Sequence, residues 1–235
     1  MKKLLLILIS TFTLSSCSQE KTIDLIDSTL SNLKIKKEKC LTEFIKNQKI
    51  TESESIILIP EIADKGDGFI TVNGHILIVN NKNGKINSRF SEKESWYSDA
   101  VRIENIDVKH QPYQISKKSK TIGILIEYHG SSGSNPYSSK ELSLFIRNGE
   151  KLERVLKDYP IYTINGETNG INSGDFVEHK KVIEPNIHSK TKFFDLKITN
   201  SIIKTQLTEG TEKTIEKSEK IENLKYKNGK YKNVL

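Results

Sequence analysis

The chain has 235 residues, with 37 Lys and Arg against 30 Asp and Glu for a formal charge of +7. Only four of the basic residues are Arg (Arg89, Arg102, Arg147, Arg154), which argues against a reader of nucleic acid, because a bidentate grip on phosphate calls for the guanidinium fork. Two cysteines are too few for a disulfide-stapled scaffold.

Lys2 and Lys3 form a short positive start, residues 4–14 are apolar, and small residues follow up to Cys17. This is the layout of a secretory signal, and the apolar run is well short of the roughly 20 residues that a membrane-spanning helix needs. The junction Leu14-Ser15-Ser16-Cys17 resembles the lipobox of bacterial lipoproteins. The resemblance covers only the signal and its junction. It implies that residues 1–16 are removed, that Cys17 becomes the first mature residue, and that its sulfur carries diacylglycerol, with acyl chains such as palmitate. Two or more chains hold a protein stably, since each buried methylene contributes about 0.8 kcal/mol. The expected location is therefore the bacterial envelope, tethered to membrane through lipid on Cys17. Ser18 stands where retention in the inner membrane of enteric bacteria uses Asp, which points to the outer membrane.

Residues 17–21 read as a lipidated polar tether. Over residues 22–47 the apolar positions Ile23, Ile26, Leu30, Leu33, Cys40 and Phe44 keep a three-four spacing, with Lys37 out of step; this predicts one amphipathic helix. With Cys17 lipidated, Cys40 has no intramolecular partner, and its place on the apolar stripe predicts a buried, inert thiol.

From residue 50 to 235 the pattern becomes short apolar runs separated by turn residues. The run 56–59 is expected to end at Pro60, and the segment from Asp64 to Gly68 reads as a turn rather than a calcium loop, which needs oxygen ligands at alternate positions. Asn-Gly, the strongest short hairpin signal, occurs at Asn73-Gly74, Asn83-Gly84, Asn148-Gly149, Asn165-Gly166, Asn169-Gly170 and Asn228-Gly229. Hairpins are expected between 68–72 and 75–80, 77–81 and 85–90, 142–147 and 151–156, and 224–226 and 230–232. Further strands are expected over 101–108, with a bulge where the alternation of Val101 and Ile103 restarts at Ile106, and over 121–128, 176–183 and 193–203. Residues 208–222 fit either an edge strand or a polar helix. The lone Trp96 reads as a core residue. Repeated hairpins predict a mainly β domain, an antiparallel sheet that is sandwich-like or partly closed as a barrel.

Chemistry is sparse. His75, His110, His129, His179 and His188 show no metal-type spacing, no phosphate loop or dinucleotide fingerprint occurs, and no cofactor is expected. The segment from His129 to Ser134 pairs a histidine with serines, but Gly-x-Ser-x-Gly is not present. The expectation is a non-enzymatic binding or interaction module with a protein partner in the envelope. The alternative is an envelope hydrolase built from His129, Ser132 and a carboxylate such as Asp99 or Glu127.

Overall fold

The structure, a computed structural model, describes residues 23–188 and 192–233. It is mainly β: a large, mostly antiparallel sheet of 12 strands that is not closed into a barrel, with one helix near the N-terminus. The lipobox and Cys17 lie outside the described residues.

Helix α1 (Leu25–Leu33) opens on Asp24, whose carboxylate accepts the main-chain N–H of Ile26 and Asp27 at 2.9 and 3.1 Å, a standard N-cap. It is much shorter than residues 22–47. Lys34 takes the left-handed conformation, φ 59°, and closes the helix; two short 3-10 turns and strand β1 (Lys46–Lys49) follow. The three-four spacing persisted because Ile26, Leu30, Leu33 and Cys40 all reach the same core, while Phe44 packs on the core between the meanders. After Lys34 they do so from irregular backbone, and Cys40 bridges to Glu61.

Strands β2 (Glu54–Gly66), β3 (Phe69–Asn80) and β4 (Ile86–Ser98) form an antiparallel meander with β1 on its outer edge. The second meander comprises β5 (Val101–His110), β6 (Thr121–Gly130), β7 (Tyr137–Asn148), β8 (Lys151–Thr168), β9 (Gly174–Pro185), β10 (Leu196–Thr208), β11 (Thr211–Lys227) and β12 (Lys230–Asn233). Ile56, Leu58, Val72, Ile76 and Ile78 pack on Ile106, Ile124 and Ile126, so the first meander lies face to face on the start of the second. On its other face, Ile57, Ile59, Leu77 and Val79 pack under α1. A third core, with Leu144, Val155, Phe193, Leu196 and Leu224, covers the opposite face of the second meander.

Along one side the meanders are stitched together. Arg89 donates its main-chain N–H to Glu150 at 3.0 Å, in a single parallel bridge between β4 and β8. Arg154 grips Glu92 with two bonds of 2.7 and 2.6 Å and lies over the Phe90 ring.

The structure corrects one hairpin expectation, at Asn73-Gly74. β3 runs unbroken through Asn73-Gly74, and β8 through Asn165-Gly166. Gly74 is needed for close approach: a Cβ there would meet the Trp96 ring at 3.0 Å. Asn73 spends its side chain on Glu61 and on the main-chain N–H of Glu94. The other four Asn-Gly pairs sit at strand connections, and the true β2–β3 turn is at Asp67-Gly68. Pro60 does not end β2, because β1 pairs only as far as Leu58 and leaves that edge free of a ladder; the Pro60 carbonyl instead accepts Leu41 N–H at 2.9 Å. Residues 208–222 contribute most of β11, the bulge in β5 falls between Ile103 and Asn105, and Trp96 is buried.

Candidate functional site

Opposite the stitched side, β1 and β5 lie near each other without pairing. Among the described residues β1 and β5 each pair with one strand only, and between these edges opens a cleft of about 930 Å³. Leu125, Leu142 and Ile161 form an apolar floor, Pro112 and Tyr113 a wall, and residues 45–48 and 107–110 the two rims.

The antiparallel ladder decides which rim groups face the cleft, since hydrogen-bonded and non-bonded pairs alternate. Ile50 donates to the Glu54 carbonyl at 3.0 Å, so Lys46 and Gln48 face β2, while Asn47 and Lys49 turn their N–H and C=O outward. On the other rim, Gln111 donates to Thr121 at 2.8 Å, which turns Val108 and His110 outward. The Val108 N–H is already taken by the Asp107 carboxylate at 2.8 Å. The two edges therefore differ: β5 is partly capped by its own side chain, and β1 is open. Beside it the Gln48 Oε1 atom is buried with no hydrogen-bond partner among the described residues, an acceptor that favours a ligand bringing a donor.

Charges at the cleft are held in place. Burial works to raise the Asp107 carboxyl, but the bond and charge of Lys109, the Val108 N–H and the charge of Lys46 outweigh it and the net direction is down. Burial, followed by the Lys120 charge, lowers His110, and burial raises the Tyr113 hydroxyl. At neutral pH the rim thus offers Lys46 and Lys109 beside the Asp107 carboxylate. Apolar floor, open strand edge and a few polar groups suit an extended peptide.

Elsewhere a polar array crosses the first meander. Ser91 Oγ lies 2.9 Å from His75 Nδ1, and His75 Nε2 lies 3.1 Å from Glu61 Oε2, which also accepts Asn73 Nδ2 at 3.0 Å. Burial pushes the Glu61 carboxyl up, but the bonds from Asn73 and His75 prevail and the net direction is down. No cavity described above opens over this array.

The residues singled out from sequence are not brought together. His129 Nδ1 pairs with Ser138 Oγ at 2.8 Å, whereas Ser132 Oγ accepts the Asn135 N–H at 3.0 Å. Asp99 caps Val101 N–H at 2.9 Å, and Glu127 pairs with Lys140 at 2.8 Å. The loop itself is pinned: Ser131 donates to the Ala100 carbonyl, and the Ser134 carbonyl accepts Thr168 N–H. Cys40 is buried, with its thiol pushed up to about 11 by burial and by the Glu61 and Glu38 carboxylates, in keeping with an unreactive sulfur.

The cleft was missed because it draws on strands far apart in sequence, and the His75 array because the turns joining its consecutive strands were misassigned. Aligning β2, β3 and β4 through Asp67-Gly68 and Asn83-Gly84 sets His75 opposite Ser91, so the array had a signal once the turns were correctly chosen. The cleft had none, since the expected helix ran over the first half of β1 and no strand was expected there.

Among the described residues no helix is long and apolar enough to cross a membrane, and no group of three or more His, Cys, Asp or Glu is placed to hold a metal ion. Comparison with protein-family models, curated proteins and solved structures returns no match.

Proposed function

We propose that this chain is a binding module of the bacterial envelope, tethered by lipid on Cys17, whose cleft takes an extended segment of a protein partner by strand addition to β1. The observation that supports it is the open β1 edge, with outward main chain at Asn47 and Lys49, lying over an apolar floor beside the unpartnered Gln48 Oε1. Main-chain pairing would supply affinity, and the floor would select apolar side chains on alternate residues. Neither rim carries a strong excess of charge, so no acidic or basic partner is singled out.

A photo-crosslinking residue at Asn47, installed in cells, tests the cleft. The expected result is one discrete adduct that disappears when Leu142→Arg fills the floor; equal adducts from a crosslinker at exposed Lys93 would sink the reading. The tether is checked separately, by intact mass and membrane fractionation of wild type beside Cys17→Ser. Wild type is expected to carry a diacylglyceryl mass and to sediment with membranes, and the variant to lose both.

An envelope hydrolase is the second reading, now favoured by the Ser91-His75-Glu61 distances rather than by the loop from His129 to Ser134. It expects a fluorophosphonate probe to label Ser91, and an unlabelled protein removes it.

A further inference from the structure

β11 is paired by β10 from Thr211 to Leu224, but on its other side, among the described residues, β12 covers only Leu224 to Lys227. Residues 211–223 therefore present a free strand edge, and all of them except Glu222 are exposed. Long open edges invite pairing with another chain, and proteins commonly guard them with charge. Charge guards an edge only against strands that do not complement it.

The sequence Ile215-Glu216-Lys217-Ser218-Glu219-Lys220-Ile221 complements its own reverse. We propose that β11 pairs antiparallel with β11 of a second copy about a two-fold axis through Ser218, joining two sheets into one. In that register Lys217 faces Glu219 of the second copy, Glu216 faces Lys220, and Ile215 faces Ile221, each pair occurring twice by symmetry.

Main-chain geometry permits this register. The β11–β12 turn at Asn228-Gly229 has both residues at positive φ, 51° and 81°, as a two-residue hairpin requires. Lys227 and Lys225 therefore bond to β12, and upstream along the same edge the N–H and C=O groups of Lys217, Glu219 and Ile221 point away from β10. Pairing about Ser218 sets odd residues against odd residues, so outward groups meet outward groups. Moving the axis by one residue keeps that parity but loses the charge match. Moving the axis to Lys217 sets Lys217 against itself and Glu212 against Glu222; moving it to Glu219 sets Glu219 against itself and Glu216 against Glu222.

The subunit also leaves these side chains available. Ile215 and Ile221 are 53% and 63% exposed, although both are apolar. Ile215 sits at the β10–β11 irregularity next to Lys204 and Thr205, without a β10 partner. Lys217 and Lys220 form no ion pair among the described residues, whereas Glu216 already reaches Lys204 at 2.6 Å.

The test uses the full-length protein in mild detergent. Sedimentation equilibrium is expected to show a concentration-dependent dimer. Lys217→Glu should weaken it about tenfold by setting like charges opposite one another at two pairs, and adding Glu219→Lys should restore it. Under mild oxidation Ser218→Cys is expected to give a disulfide between two copies of position 218, mapped by mass spectrometry, while Thr214→Cys, which faces Glu222, should not link to itself. A monomer at every concentration overturns the proposal, as does a dimer indifferent to Lys217→Glu or one in which Thr214→Cys links as readily as Ser218→Cys. Circular dichroism identical to wild type confirms that each variant is folded. These outcomes are independent of the cleft, which lies on other strands.

Discussion

Strands β2 and β11 are both long, 13 and 17 residues, yet the protein treats them in opposite ways. In β2, Ile56, Ile57, Leu58 and Ile59 are all at 0% exposure, because α1 covers one face and the second meander covers the other. In β11, residues 211–221 are exposed on both faces, and Lys and Glu alternate with Thr, Ser and Ile. The difference teaches that strand character here is set by how many layers cover a ladder. A continuous apolar run records two covering layers, and a polar strand is held by its neighbour's main chain and by cross-strand pairs.

The largest effect should come from opening the doubly covered strand. Leu58→Ala removes buried methyl groups from the core between the meanders and is expected to cost about 2–5 kcal/mol, read as a lower midpoint in urea. A loss below about 0.5 kcal/mol would mean that the layers do not close on β2, since that range belongs to surface positions.

The same contrast explains what could be read from the sequence. The apolar runs of β2 and β3 signalled strands, and the charged composition of β11 left strand and polar helix both open, because burial and exposure act on each residue locally. The mainly antiparallel arrangement also followed from the turns at Asn83-Gly84, Asn148-Gly149 and Asn228-Gly229. Asn73-Gly74 misled, because glycine serves close packing as well as positive φ, and its dipeptide does not say which. Lys34 ended the helix without the glycine or proline that usually announces a stop. The candidate site was the least legible part: Asn47, Gln48 and Asp107 look unremarkable until two strand edges meet.

An intermediate effect is expected where the meanders are stitched. Arg154 and Glu92 are 14% and 31% exposed, and removing one partner of a hydrogen-bonded charge pair costs about 1–3 kcal/mol, so Arg154→Met should fall below Leu58→Ala but remain clear. Its pH dependence has a definite sign. Burial works to raise the Glu92 carboxyl, but the bonds and charges of Arg154, with Lys157 and Ser95, bring it below its ordinary 4.5. A depressed carboxyl contributes stability that is complete above the unfolded value and is lost as pH falls through the folded one. Acid unfolding below 4.5 should thus be less steep in Arg154→Met than in wild type. Parallel curves would show that this pair is not a source of the acid sensitivity.

The smallest effect belongs to β11, and it tests the comparison from the other end. Lys220→Ala removes an exposed charge that makes no ion pair among the described residues, so the folded subunit should change by no more than about 0.5 kcal/mol. Ile221→Thr keeps a β-branched side chain and exchanges one exposed apolar group for a polar one, so it should be equally silent in thermal unfolding of dilute protein. If either variant costs as much as Arg154→Met, β11 is covered by something in solution. The concentration dependence then decides what covers it: a cost that appears only in concentrated protein places a second copy on that edge, while a cost that persists on dilution belongs to the subunit and removes the premise that β11 is held by its β10 neighbour alone.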